Sequence, residues 1–206
     1  MVEVVTLDVW LVRHGEIDWI VDRKFCGWSD PPLNERGRAQ ARALRLGLAE
    51  IEFDSVVSSS SARAIETARL AYGEPSTDDR LRELDFGDIE GLIWAECSPE
   101  LQKQLLSYET FVAPRGEAVK DLMARVTAVL RDLGGGRHLV VSHGGVIRGL
   151  LGRVGITDYP QPGTLHRVQV TLTSGAEIAV TQEEPSPLDV REAERDPEPH
   201  EDREAE

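Results

Sequence analysis

Apolar residues in this chain recur with two spacings. From Val4 to Val12 they run almost without interruption and are mostly β-branched, the pattern of a strand covered on both faces. Residues 137–142 (RHLVVS) repeat the pattern, and Phe53 to Val57 gives a shorter version. Between these runs the apolar positions return every three or four residues. Ala39, Ala43, Leu44 and Leu48 mark a helix over 34–49 with Asn34 as its N-cap. Val119, Leu122, Met123, Val126, Val129 and Leu130 mark a longer helix over 117–133, stopped by Gly134-Gly-Gly136. Further helices are expected over 61–72, over 99–109 with Pro99 in the first turn, and over 145–154. Strands at 164–171 and 177–181, joined at Ser174-Gly175, read as a closing hairpin. Strands alternating with helices predict an α/β fold: a three-layer α/β/α sandwich whose sheet is mostly parallel with an antiparallel edge. No segment repeats another, and residues 1–182 read as one domain, long enough to bury a sizeable core.

Two of the predicted strands stop in the same way. The first runs into Arg13-His14-Gly15, and the strand at 137–142 runs into His143-Gly144-Gly145. Ligands of open α/β sheets bind in the crevice beyond the carboxyl ends of the strands. Two imidazoles and an arginine there make a pocket suited to an anion such as phosphate. Imidazole has an ordinary pKa of about 6.5, so at pH 7 it is largely neutral.

Charge alters this picture at one end only. The chain carries a net −14, of which −8 falls in residues 183–206, with eleven acids, three arginines and four prolines. Such a composition cannot bury enough apolar surface to offset its ordering entropy, so 183–206 is expected to be an acidic disordered tail. The acidity argues against nucleic-acid binding. No apolar run approaches the ~20 residues of a membrane span, and the start Met1-Val-Glu-Val-Val lacks a basic signal-type segment, so a cytoplasmic, membrane-free protein is expected. Cys26 and Cys97 stand apart without CxxC spacing, and no HExxH occurs; neither a disulfide framework nor a metal site is expected.

The string Leu11-Val-Arg-His-Gly-Glu16 resembles the signature of the histidine phosphatase superfamily, the phosphoglycerate-mutase-like proteins. Four more segments follow in that family's order: Phe25 to Gly37 (FCGWSDPPLNERG), Ser58 to Ala68 (SSSSARAIETA), Leu81 to Gly91 (LRELDFGDIEG) and Ser142-His-Gly-Gly145. The likeness spans roughly residues 5 to 181. It implies a phosphoglycerate-mutase-like sandwich in which His14 is a nucleophile that becomes a phosphohistidine. It implies further that Arg13 and Arg63 grip the phosphate, that His143 is a second phosphate-binding imidazole charged when an anion is bound, and that Glu83 is the general acid. Guanidinium forks match phosphate oxygens and hold their charge at any working pH. A carboxyl group can act as an acid near neutrality only where burial or charge raises its pKa. Gly27, with Cys26, is expected at the pocket rim, and Gly144 beside His143 is expected to open backbone N–H groups toward the anion. Arg63, in the first turn of a helix, should share its anion with the helix N-terminus.

The chain departs from the family's pattern at Ile20, where Asn is usual, and at Arg115 and Ala118 in Pro114-Arg-Gly-Glu-Ala118, where Pro-Gly-Gly-Glu-Ser is usual. Arg115 either supplies compensating charge or faces solvent. Only 129 positions separate His14 from His143. Mutases of the superfamily carry a longer insertion there, so the resemblance favours its phosphatase branch, near the α-ribazole-phosphatase-like and broad-specificity members. The expected activity is metal-independent, cofactor-free hydrolysis of a small phosphorylated metabolite. A phosphoglycerate-type mutase and a phosphate-ester-binding regulatory protein are the alternatives. Trp28, Trp94, Tyr108 and Phe111 either wall the leaving-group side or belong to the core. The expected partner is a small phosphate ester, and the last strands either pair across a homodimer edge or are capped within one chain.

Overall fold

The computed structural model describes residues 4–156, 159–173 and 178–182. Six strands form one sheet: β1 (Val4–Arg13), β2 (Ser55–Ser59), β3 (Ser76–Asp78), β4 (Gly136–Ser142), β5 (Leu165–Thr173) and β6 (Ile178–Gln182), in the order β3-β2-β4-β1-β5-β6. The first four strands are mutually parallel, and β5 and β6 add an antiparallel edge. The helices are α1 (Asp18–Val21), α2 (Glu35–Leu48), α3 (Ala62–Ala71), α4 (Pro99–Leu106), α5 (Val119–Leu133) and α6 (Gly144–Leu151).

Alternation along β1 divides the core between two layers. Leu7, Val9 and Leu11 face a cluster completed by Leu122, Val126 and Leu130 of α5 and Ile147 of α6. Trp10 and Val12 face the other way, against Leu44 and Leu48 of α2 and Ala64 and Ala68 of α3. The expected three-layer sandwich is therefore present, and β1, buried on both faces, needs its unbroken apolar run. The Asn34 side chain accepts from the Gly37 N–H at 2.8 Å and starts α2. Gly134 ends α5 with a φ of 70°, the left-handed region that favours glycine.

Three elements depart from expectation. The helix at 99–109 closes at Leu106 and continues as a separate 3-10 turn over Tyr108–Thr110. The short α1 and β3 carry too little periodic apolar signal to be foreseen. The Ser174-Gly175 turn and the acidic segment 183–206 lie outside the described residues. Among the described residues, no helix is long and apolar enough to cross a membrane.

Candidate active site

Strand register brings the two histidines together. Arg13 of β1 pairs with Ser142 of β4, so His14 and His143 each stand one residue beyond the same rung. The His14 N–H donates to the Ser142 carbonyl at 3.0 Å. The imidazole centroids are 5.1 Å apart, with the planes inclined at 62°. Close approach of the backbones makes this possible: a Cβ on Gly15 would run into the Gly37 carbonyl at the start of α2.

Hydrogen-bond partners assign the tautomers. His14 Nδ1 lies 2.7 Å from the Gly15 carbonyl oxygen, an acceptor only, so Nδ1 carries the proton. Nε2 keeps its lone pair and accepts from Arg63 Nε at 3.4 Å. In His143 the roles are reversed: Nδ1 accepts from Arg63 Nη2 at 3.2 Å, and Nε2 faces the Ser59 hydroxyl at 2.8 Å. Burial, reinforced by the charges of Arg63 and Arg13, holds the pKa of both rings well below the usual 6.5. His143 is thus neutral here. Charging it on anion binding would require the Arg63 contact to be given up, because Nδ1 cannot both accept and carry a proton.

Arg63, fully buried in the first turn of α3, is the hub of the site. Nη1 donates to the Ser29 carbonyl (2.7 Å) and pairs with Asp30 Oδ1 (3.0 Å); Nη2 donates to the Gly27 carbonyl (2.9 Å) and to His143. With Nε on His14, all five donors of the guanidinium are engaged. The other Asp30 oxygen accepts from the Ala62 N–H at 2.7 Å. That carboxylate occupies the α3 N-terminus, where the sequence suggested a bound anion; the helix end is satisfied from within the chain.

Glu83 is buried across the site from the imidazoles. Its Oε1 accepts from the Leu84 N–H (2.8 Å) and its Oε2 from the Gly145 N–H (2.9 Å). Burial raises its pKa above the ordinary 4.5, while these two N–H groups, Arg13 and Arg63 pull the other way. Its loop is held from α5: Arg125 donates to the carbonyls of Arg80, Arg82 and Glu83 and pairs with Glu117. The Tyr108 hydroxyl donates to the Gly145 carbonyl at 2.7 Å, tying down the residue whose N–H holds Glu83.

A cavity of about 200 Å³ opens onto Arg13, His14 and Glu83. Arg63 and His143 are fully buried and do not line it; both touch the His14 ring, Arg63 through Nε and His143 edge-on. Arg13 lies over the Tyr159 ring, 4.9 Å from Cζ to centroid, and donates to the Pro160 carbonyl. Its buried Nε has no hydrogen-bond partner among the described residues. Contrary to expectation, Gly27 does not line the cavity. It is buried below it, where its carbonyl serves Arg63 and a Cβ would strike Leu84 and Glu90. Gly144 also lies outside the lining and leaves room for the Tyr159 hydroxyl, and the Gly145 N–H is spent on Glu83. Cys26 lines the cavity with its thiol pushed up to about 11, mainly by burial, and is a poor nucleophile. Trp94, Tyr108 and Phe111 do wall the cavity; Trp28 stacks outside it on Arg82. Arg115 is 84% exposed and pairs with Asp88, which settles its two readings in favour of the solvent-facing one. Asp30, Ser59, Arg125 and Tyr159 are site residues that the sequence does not announce. Asp30 lies inside a recognised segment, but nothing in its spacing points to Arg63. Arg125 is a charge among the apolar repeats of α5, visible only as an interruption.

Fold and site together define an α/β protein that gathers two imidazoles, two arginines and a carboxyl group beside a cavity of about 200 Å³ at its strand ends. The chain belongs to the histidine phosphatase superfamily (branch 1), whose profile matches residues 9–192. It is 39% identical over 161 residues to phosphoglycerate mutase-like protein 4 of Arabidopsis thaliana, covering 71% of this chain and 70% of that one. It is 34% identical over 163 residues to the 2,3-bisphosphoglycerate-dependent phosphoglycerate mutase of Beijerinckia indica, covering 68% and 77%. Among solved structures, the phosphoglycerate mutase from Thermus thermophilus superposes with a TM-score of 0.71 at 33% identity, covering 86% of this chain and 99% of that one.

Proposed function

We propose that this chain is a phosphomonoesterase that needs no metal and works through a phosphohistidine on His14. The observation that carries the reading is the state of His14: a buried, neutral ring whose proton is fixed on Nδ1 and whose Nε2 lone pair is presented beside Arg63, across the site from a carboxyl group with a raised pKa. Nε2 attacks phosphorus and the P–O bond to the alcohol breaks. Glu83 gives its proton to the departing oxygen, leaving an N–P bond and a Glu83 carboxylate. Water then attacks phosphorus, Glu83 takes its proton, the N–P bond breaks, and His14 is returned neutral with release of inorganic phosphate. Splitting the transfer replaces one hard displacement by two easier ones. Arg13 and Arg63 offset charge on the phosphoryl oxygens, Arg63 by exchanging its imidazole contacts for the ligand.

Hydrolysis is favoured over transfer to a second substrate by the short spacing of 129 positions between His14 and His143, because the resemblance implies a longer insertion there in mutases, one that keeps water off the phosphohistidine. The mutase reading rests on the names of the relatives and of the Thermus structure. One assay separates the two: phosphate release from a chromogenic phosphomonoester with EDTA present and His14→Ala as control, beside 3-phosphoglycerate with and without a bisphosphate primer. Wild-type phosphate release that His14→Ala lacks supports the phosphatase. Primer-dependent isomerisation without phosphate release would replace it with a mutase.

A further inference from the structure

Beyond the reacting centre the cavity holds a cation that the chemistry at phosphorus leaves unused. Arg148 lies on α6 three residues after Gly145, whose N–H holds the Glu83 carboxyl group. Residues three apart share a helix face, so Arg148 stands roughly one turn along α6 from the residue that holds the acid. The half-buried guanidinium stacks on the Tyr108 ring, 4.3 Å from Cζ to centroid. Among the described residues it makes no hydrogen bond and no ion pair. The other cations of the lining are committed: Lys24 pairs with Asp22 at 2.9 Å, and Arg13 serves Tyr159 and Pro160. The rest of the lining is largely apolar and includes Ile17, Ile20, Phe25, Phe86, Leu105 and Phe111.

We propose that Arg148 is a specificity residue that pairs with a second anionic group on the leaving alcohol, so that the preferred substrates are phosphate esters with an apolar, aryl-type body bearing a carboxylate or similar anion. The proposal rests on the reading of the site as one for phosphomonoesters. Stacking on Tyr108 limits the guanidinium's motion while its edge N–H groups remain available for a two-pronged bond to a carboxylate. Aromatic and aliphatic walls suit an apolar body; a polyhydroxylated one would leave its hydroxyls unpaired against them, at a cost for each.

The test compares kcat/KM for 3-carboxyphenyl phosphate and phenyl phosphate, whose phenols are nearly equal in acidity, so that the chemistry at phosphorus is matched. The wild type is expected to favour the carboxylated ester about tenfold or more, the worth of one charge-assisted contact. Arg148→Gln should bring the ratio close to one, and Arg148→Lys should keep part of it. General damage to the fold affects both esters alike and leaves the ratio intact. Equal wild-type values, or a preference that survives Arg148→Gln, would overturn the proposal. The same pair is titrated calorimetrically into His14→Ala with and without Arg148→Gln. If the wild type turned over neither ester, the phosphatase reading would fail, and the affinity difference between the two ligands would still decide the role of Arg148.

Discussion

The two ends of the active-site cavity are built on opposite plans. At the inner end, His14, His143 and Arg63 lie at the tips of β1 and β4 and in the first turn of α3, and every guanidinium donor of Arg63 is satisfied. At the outer end the walls come from α1, the turns around Phe25, Phe86 and Phe111, α4 and α6, and are mostly apolar. The inner end therefore has its tautomers set before any ligand arrives, and Arg63 must release its two imidazole contacts to serve a bound anion. The outer end offers shape and the charge of Arg148, which has no ion-pair partner among the described residues. Such an end suits selection among alcohols. On the proposed reading, chemistry falls to the strand ends, the start of α3 and the Glu83 loop, and choice of substrate to the rest of the cavity lining.

That division can be broken at the inner end first. His14→Ala should lower kcat by on the order of 10⁴-fold or more while thermal unfolding stays cooperative, measured by steady-state phosphate release and calorimetry. Glu83→Gln should cost about 10²- to 10⁴-fold with an alkyl phosphate and far less with 4-nitrophenyl phosphate, whose leaving group needs no proton. An equal loss with both would remove Glu83 from the acid role. The pH profile follows from the same groups. Burial keeps Glu83 protonated above its ordinary 4.5 and keeps His14 neutral below its ordinary 6.5. Activity toward an alkyl phosphate should therefore persist above the pH at which an ordinary glutamate ionises and decline as rising pH ionises Glu83, and Glu83→Gln should flatten that decline.

Arg63→Lys tests whether the hub acts as a fork or as a point charge. It keeps the positive charge but cannot reach all five partners, so a loss of about 10²- to 10³-fold in kcat/KM is expected, with a lower melting temperature as the Gly27 and Ser29 carbonyls go unpaired. A smaller effect is expected at the outer wall. Ile20→Asn adds a polar group to the cavity lining and should tighten inhibition by inorganic phosphate by about tenfold through one new bond to a charged ligand. An unchanged inhibition constant would show that the side chain does not reach the anion. Arg115→Ala, at an exposed pair with Asp88, should change kcat/KM by less than about twofold.

Legibility in the sequence follows the same division. Arg13, His14, Arg63, Glu83 and His143 are legible because each stands in a short local string, and strand-to-loop grammar places the histidines at a sheet edge. Their partners are not. Asp30 reaches Arg63 over 33 residues, Arg125 reaches the Glu83 carbonyl over 42, and Tyr108 reaches Gly145 over 37. Gly27 and Gly144 are visible as glycines, but whether a glycine faces a ligand or makes room for a neighbour depends on what packs against it. Here Leu84 and Glu90 pack against the first, and Tyr159 against the second.

The sequence by itself determined the layers, the parallel core of the sheet, the family and the residues proposed for the reacting centre, because apolar periodicity and short motifs are local properties of the chain. Tertiary structure alone decided which nitrogen of each imidazole is free, that Asp30 and not a ligand closes the α3 N-terminus, that Arg115 faces solvent, and that Arg148 stacks over Tyr108 at the outer wall of the cavity. Each of these depends on atoms brought together from distant segments, where burial and hydrogen-bond geometry set the charge state that the chemistry needs.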